Sequence, residues 1–189
     1  SASHFAFYKR DVRRRIVLDG SRAFGVSYVY TNLLGNEAGR AIYDGSAMIS
    51  SLGQNLIEGK RFSFAEFQIT EALVDVERDR LSRRKRFDTH QDGAGSGYSL
   101  VSDISSLGEP DAKKTLPVHK EKWEESSSIK EEEFARAVTL GLFDYIRKSA
   151  SRGVVVSLSG GADSSAICCL VSLLVSFGVK ELGKEVFLR

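Results

Sequence analysis

The stretch that decides the fold reads V-V-V-S-L-S-G-G-A-D-S-S at residues 154–165. Its β-branched run predicts a strand at 154–158, and the apolar run at 166–177 predicts a helix. The loop between them opens on a helix N-terminus, where unpaired backbone N–H groups and a partial positive charge attract anions. Gly160 and Gly161 allow a phosphate to approach closely, and Asp163 can hold a Mg²⁺ that bridges phosphate oxygens. The sequence therefore predicts a phosphate site at this loop.

Two common phosphate-binding motifs do not fit the loop. The pattern G-x-x-x-x-G-K-[ST] needs a lysine after the glycines, but the next lysine is Lys180, and the loop does not match G-x-G-x-x-G. The pattern S-G-G-x-D-S resembles the pyrophosphate loop of ATP pyrophosphatases, which cleave ATP to AMP and pyrophosphate while they adenylate a substrate. The alternative is a glycine-rich turn that only links the strand to the helix.

Composition limits the class of protein. The 189 residues suffice for one medium domain or parts of two. With 27 basic and 25 acidic residues the net charge is +2, so we expect no nucleic-acid partner. We interpret the basic runs at 13–15 and 83–86 as solvated helix faces rather than an RNA-binding patch. The predicted helix at 166–177 is too short to cross a bilayer, and the first residues lack a signal-peptide pattern. We therefore expect no membrane partner and a cytoplasmic location.

The cysteines and histidines indicate neither a metal site nor a redox site. Cys168 and Cys169 are adjacent, which suits neither zinc binding nor a structural disulfide, and we interpret them as small core residues. His4, His90 and His119 are far apart and lack metal-ligand spacing, so we expect them at surface or loop positions.

Two ordered parts with a linker between them are predicted along the chain. The first part is mainly sheet, with a helix at 11–24 closed by Gly25, strands at 26–33, 40–43, 46–50, 56–58 and 69–76, a turn at 35–39, and a charged helix or tail at 77–86. Periodicity fails at 87–128, where Pro110 and Pro117 lie. We interpret 87–128 as an inter-domain linker in which 116–123 docks on one domain.

The second part begins at the capping box Ser128-Ile129-Lys130-Glu131. It predicts a helix to about residue 148 with an apolar stripe of Phe134, Val138, Leu142 and Tyr145. We expect Gly178 to end the last helix and a further strand at 185–189. The order helix, strand, loop, helix is typical of the opening of a doubly wound parallel sheet. One strand and two helices do not complete such a sheet, so we expect a fragment.

Taken together, the two parts resemble glutamine-dependent NAD⁺ synthetase. In the second part the resemblance rests on residues 133–145 and on 153–165, which include the S-G-G-A-D-S-S loop. The first part resembles the end of a nitrilase-type glutaminase domain. There the matching runs are S-A-S-H-F at 1–5 with Lys9 and Arg13, Y-V-Y-T-N-L-L-G at 28–35, Y-D-G-S at 43–46, R-F-S-F at 61–64 and V-D-V-E at 74–77.

The resemblance implies an α/β fold in two pieces. Residues 1–86 would form the C-terminal part of a nitrilase-like αββα domain, and 129–189 the start of a doubly wound, adenine nucleotide alpha hydrolase-like synthetase domain. It also implies a reaction: a cysteine hydrolyses glutamine, Mg-ATP adenylates the carboxylate of deamido-NAD⁺, and ammonia displaces AMP to give NAD⁺. The full-length protein is expected to be a homo-oligomer.

Site residues carry over only where motifs match. The ATP loop corresponds to Ser157, Leu158, Ser159, Gly160, Gly161, Ala162, Asp163 and Ser164. Asp163 matches the Mg²⁺ ligand, and Ser3 and Lys9 match a serine and a basic residue that contact glutamine. The family's catalytic Cys, Glu and Lys would precede Ser1, and most of the synthetase domain, with its further metal ligand and the dinucleotide site, would also be missing. We therefore expect this polypeptide alone to make no NAD⁺.

Two other readings of the chain stay open. One is another enzyme with the same loop, such as a tRNA-thiolating enzyme or a GMP or asparagine synthetase, although the partner domains of those enzymes differ from the nitrilase pattern. The other is a non-catalytic interaction or regulatory module.

Overall fold

The computed structural model describes residues 1–87 and 121–188. Most of the predicted linker, with His90, His119 and both prolines, lies outside the described residues. The elements in chain order are α1 Lys9–Phe24, β1 Ser27–Thr31, β2 Leu34–Glu37, β3 Ala41–Asp44, β4 Ala47–Ser51, β5 Gln54–Glu58, α2 Val76–Phe87, a 3₁₀ turn Lys122–Glu125, α3 Ile129–Lys148, α4 Ala162–Leu182 and α5 Lys184–Phe187. The chain is α/β, as predicted.

Two small antiparallel sheets form in the first half of the chain. One has the order β1-β4-β5 and the other pairs β2 with β3. Helix α1 covers the first sheet, with Val17 and Met48 each only 1% exposed. Helix α1 ends at Gly25, whose left-handed φ of 59° closes it as the sequence predicted. The predicted turn at 35–39 is shorter than expected, because β2 continues to Glu37.

Residues of both predicted parts share one core. Phe62 from the first half packs with Trp123, Ala137 and Leu140 from the second. Partly buried apolar side chains extend this cluster on both sides: Phe5, Leu34, Ile42 and Ile129. Helix α3 thus lies against β2 and β3, and burial of this apolar surface holds the two halves together.

A buried ion cluster reinforces this junction. Arg61 is 2% exposed, and its Nη1 donates to Glu133 Oε1 at 2.6 Å while its Nε donates to Glu124 Oε1 at 3.0 Å. The guanidinium also lies 5.0 Å from the Trp123 ring centroid and 5.3 Å from that of Phe62. One cation therefore binds the loop after β5, the 3₁₀ turn and α3 to each other.

Asp144 makes a second polar link between α3 and β2. Its carboxylate accepts the backbone N–H of Asn36 at 2.7 Å, and Arg147 and Lys148 each donate to it at 2.7 Å. Burial raises the pKa of Asp144, but the hydrogen bonds from Lys148, Asn36 and Arg147 together outweigh it and hold that pKa below its ordinary value.

Three predicted strands are wrong. Residues 154–158 and 69–75 form no strand, Val76 begins α2, and 185–187 lie in the short helix α5 instead. A β-branched run becomes a strand only when a neighbouring strand takes its backbone hydrogen bonds, and no described segment pairs with 154–158 or 69–75. Val155 and Ile69 are correspondingly exposed, at 101% and 81%.

Helix α4 is longer than the sequence indicated. It runs from Ala162 to Leu182 and is capped by Gly183, so the prediction that Gly178 ends it is wrong. Gly178 is instead a contact position, because a Cβ there would clash with the Phe187 ring. Helix α4 has 21 residues and contains an 18-residue window with a mean hydropathy of 1.8, so by length and composition it could cross a bilayer, which corrects the expectation drawn from 166–177. Length and composition alone do not separate a membrane span from a helix that other protein covers.

Some predicted faces are also rotated. Helix α3 buries Ala137, Leu140 and Asp144, whereas Phe134 and Tyr145 of the predicted stripe are more than half exposed. The reason is that α3 packs on β2 and β3 through the face that carries these residues, where Gly141 lies against Ile42. Cys169 is exposed and Cys168 half-buried, so neither is a core residue among the described contacts. Arg13, expected on a solvated face, is 6% exposed.

Candidate nucleotide loop and Ser3 loop

The predicted phosphate loop lies at the N-terminus of α4. Gly161 is the N-cap residue, and the first backbone bond of the helix is from the Ser165 N–H to the Gly161 carbonyl at 3.2 Å. The N–H groups before Ser165 in the first turn therefore have no carbonyl partner within the helix. As a glycine, this N-cap residue offers no side-chain oxygen to cap the first-turn amides. These amides can donate to an anion.

Gly160 shapes the approach to these amides. It has a φ of +81°, a conformation that a residue with a Cβ rarely adopts, and a Cβ placed there would meet no atom of the described residues within 4 Å. None of these residues fills the space beside this glycine. That arrangement fits a phosphate group lying against the backbone.

The serines of the loop bond mainly to the loop itself. Ser159 Oγ lies 3.2 Å from Ser164 Oγ and accepts the Gly161 N–H at 3.4 Å. Ser164 Oγ also donates to the Gly161 carbonyl at 3.1 Å. These weak internal bonds hold the loop in a turn around the helix N-terminus, and hydroxyl groups can rotate to donate to a ligand.

Asp163 is the predicted Mg²⁺ ligand, and it lies exposed in the first turn of α4. Within residues 1–87 and 121–188, no group of three or more His, Cys, Asp or Glu side chains is placed to hold a metal ion. A single carboxylate nevertheless suits Mg²⁺ bound together with phosphate oxygens, because Mg²⁺ retains several waters and takes few protein ligands. The residues present thus fit a metal that arrives with a nucleotide.

Ser3 and Lys9, predicted to contact glutamine, flank the start of α1. The Ser3 N–H donates to Asn32 Oδ1 at 2.9 Å, and Lys9, the first residue of α1, has its Nζ 3.4 Å from His4 Nδ1. His4 is exposed, as expected for a loop histidine. The Ser3 segment is therefore tied to the end of β1 by a side-chain amide.

Sequence reasoning missed the buried polar residues behind Ser3. Asp44 is fully buried, pairs with Arg13, and accepts from Asn32 Nδ2 at 2.9 Å and from Ser46 Oγ at 3.0 Å. The signal available was the Y-D-G-S turn at 43–46, which placed a carboxylate at a strand end without indicating its partners.

Comparison with known proteins defines the class in which this fold occurs. No family model matches the chain. The chain has an α/β fold similar to that in a crystal structure of a glutamine-dependent NAD(+) synthetase from Cytophaga hutchinsonii, with a TM-score of 0.69 and 38% identity over 100% of this chain and 24% of that one. A structure of the Acinetobacter baumannii enzyme in complex with ADP has a TM-score of 0.54 at 17% identity, covers 98% of this chain and 26% of that one, and supports the fold alone.

Curated sequences point to the same particular enzyme. The chain is 30% identical to the glutamine-dependent NAD(+) synthetase of Arabidopsis thaliana over 97% of this chain and 25% of that protein. The human protein of that name is 31% identical over 90% of this chain and 24% of its own length. The chain thus spans about a quarter of the length of the curated relatives it matches. The resemblance to glutamine-dependent NAD⁺ synthetases that the motifs indicated is confirmed.

Proposed function

We propose that this chain is a segment of an enzyme that converts deamido-NAD⁺ to NAD⁺ with ATP, through an adenylated intermediate and with glutamine as the ammonia donor. Residues 1–86 then form the end of a nitrilase-like glutaminase domain, 87–128 a linker, and 129–189 the start of an ATP-pyrophosphatase domain. The similarity over nearly the whole chain to enzymes of this name supports the proposal. The cytoplasmic location and the homo-oligomer of the full-length protein stay predictions.

The open N-terminus of α4 is the observation that carries the proposal. A carboxylate reacts poorly with ammonia until one of its oxygens becomes a leaving group, and adenylation by ATP provides that. The pyrophosphate released carries concentrated negative charge, which free N–H groups at a helix N-terminus stabilise. The amides that precede Ser165, and the space beside Gly160, supply this environment.

Each loop residue then has a defined task. Gly160 and Gly161 let the backbone reach the β- and γ-phosphates, and the Ser159 and Ser164 hydroxyls donate to their oxygens. Asp163 would hold Mg²⁺, which neutralises phosphate charge when bound. In the first half, Ser3 and Lys9 contact glutamine, with the Lys9 ammonium available to the carboxylate of the amino acid.

Pyrophosphate binding by the chain tests the loop assignment. Gly160→Ala should weaken the binding of Mg-pyrophosphate and Mg-ATP about tenfold in titration calorimetry, because the added methyl group displaces a phosphate and removes roughly one charge-assisted hydrogen bond. Gly39→Ala is the matched control: Gly39 also has positive φ, +65°, and open space around a Cβ, but lies in the β2–β3 turn. Equal affinities for Gly160→Ala and Gly39→Ala would contradict the proposal.

An activity assay separates this function from the alternatives. We expect the chain alone to form no NAD⁺ from deamido-NAD⁺ and Mg-ATP with either glutamine or ammonium chloride, because it spans only about a quarter of the length of the synthetases that it resembles. Turnover with either nitrogen source would refute that expectation. Retention of labelled tRNA at moderate salt would favour a tRNA-thiolating enzyme instead.

A further inference from the structure

A single side-chain amide binds both backbone polar groups of Ser3. Asn32 Oδ1 accepts the Ser3 N–H at 2.9 Å, and Asn32 Nδ2 donates to the Ser3 carbonyl at 2.8 Å. The side-chain amide of Asn32 therefore acts as a neighbouring peptide group would in a sheet. Such a pair of bonds fixes the position of the Ser3 backbone and, through it, the direction of the Ser3 side chain.

Buried charges fix the orientation of Asn32 in turn. Asn32 Nδ2 also donates to Asp44 Oδ1 at 2.9 Å, so the amide nitrogen must face this carboxylate. Arg13 pairs with the other oxygen of Asp44, and its Nη1 donates to the Ser3 carbonyl at 3.2 Å. Ser46 donates its backbone N–H and its hydroxyl to Asp44. The Ser3 carbonyl thus accepts two hydrogen bonds from a network whose charges are buried.

We propose that Asn32, oriented by Asp44 and Arg13, is a positioning residue of the glutamine site. The inference rests on the proposed contact between Ser3 and glutamine. With its N–H and carbonyl engaged by Asn32 and Arg13, the hydroxyl is the polar group of Ser3 left for a ligand among the described contacts. Asn32 touches no substrate; it holds the residue that does.

Amide exchange and glutamine titration followed by NMR on the 189-residue chain test this inference. In the unmodified chain the Ser3 amide should be protected from exchange, and added L-glutamine should shift its resonance. Asn32→Ala should speed Ser3 exchange about tenfold and weaken glutamine binding about tenfold, as expected for the loss of paired hydrogen bonds near a charged group. Asn55→Ala is the control, since the Asn55 amide donates only to Glu58 on β5 among the described contacts, and both values should be unchanged.

A second variant covers the case in which Asn32→Ala fails to fold. Arg13→Lys keeps a cation beside Asp44 but loses the guanidinium nitrogen that bonds the Ser3 carbonyl, so it should weaken glutamine binding about threefold with Asn32 intact. The inference is overturned if Ser3 exchanges as fast in the unmodified chain as in Asn32→Ala. It is also overturned if glutamine affinity is the same with and without the Asn32 amide. A protected Ser3 amide that L-glutamine does not shift would instead refute the proposed contact of Ser3 with glutamine.

Discussion

Replacing Arg61 by methionine should destabilise the fold by about 3–5 kcal/mol, the range observed when one partner of a buried ion pair is removed. The side chains of Glu133 and Glu124 are 10% and 8% exposed, and Glu133 would lose the guanidinium that lies 2.6 Å from it. Methionine approximates the length and apolar contact of the arginine stem against Phe62 and Trp123, so the loss of stability reports mainly the unpaired carboxyl group of Glu133.

A double variant isolates the ion pair from the packing. Arg61→Met combined with Glu133→Leu removes the cation and its 2.6 Å partner together. Glu124 keeps Arg10, whose Nη2 lies 3.3 Å from it, so no isolated charge remains at that carboxylate. Among the described residues Arg61 Nη2 has no hydrogen-bond partner, and the double variant also removes this desolvated nitrogen. The double variant should therefore be more stable than Arg61→Met alone, by about 1–3 kcal/mol.

Urea unfolding, followed by Trp123 fluorescence and by far-ultraviolet circular dichroism, measures these differences. If the two probes give coincident transitions, a two-state free energy of unfolding can be calculated. The free energies of the variants are compared only where the slope against urea concentration is unchanged. Lys184→Met, an exposed cation on α5, is a matched control that should change stability by less than about 0.5 kcal/mol. A loss below about 1 kcal/mol for Arg61→Met, or additive losses in the double variant, would refute the view that Arg61 holds the two halves together.

Three further changes test the junction, the packing of α5 on α4, and the nucleotide loop. Asp144→Asn should lower the free energy of unfolding by about 2 kcal/mol at neutral pH. Because the pKa of Asp144 is lowered in the folded chain, the difference in stability from the unmodified chain should vanish as the pH falls through that lowered pKa. Measuring the free energy of unfolding as a function of pH checks this direction. Gly178→Ala should displace the Phe187 ring and lower stability by about 1–3 kcal/mol by thermal unfolding, whereas an unchanged melting temperature would show that α5 is not packed there. Asp163→Asn should weaken Mg-ATP but not metal-free pyrophosphate in calorimetry, and equal losses for both would remove Asp163 as the metal ligand.

Local signals in the sequence predicted the first half of the fold well. Helix α1 and strands β1, β3, β4 and β5 lie within about two residues of their predicted bounds, because Gly25, Gly45 and Gly53 mark the turns through backbone conformations that favour glycine. Ser128 likewise marks the start of α3, although its side chain makes no capping hydrogen bond. Such signals act within a few residues and need no knowledge of what the element packs against.

Features that depend on distant partners were predicted poorly. The runs at 154–158 and 69–76 have the composition of strands, but pairing is a property of two segments, and 154–158 and 69–75 have no partner among the described residues. The buried face of α3 likewise depends on β2 and β3: Asp144 is buried because it meets the Asn36 N–H, and hydrophobic periodicity cannot indicate a buried carboxylate.

The two candidate sites differ in how far the sequence alone can predict them. The nucleotide loop is local, since twelve consecutive residues carry the glycines, the serines and Asp163, and the structure places them together at one helix end. The Ser3 loop is not local: Arg13 stands in a run of three arginines, and only folding brings it to Asp44 and to the Ser3 carbonyl. A basic run in a sequence does not tell which of its members will be buried, because burial of an arginine is favourable only where a carboxylate is fixed to receive it, and here that carboxylate, Asp44, lies 31 residues away.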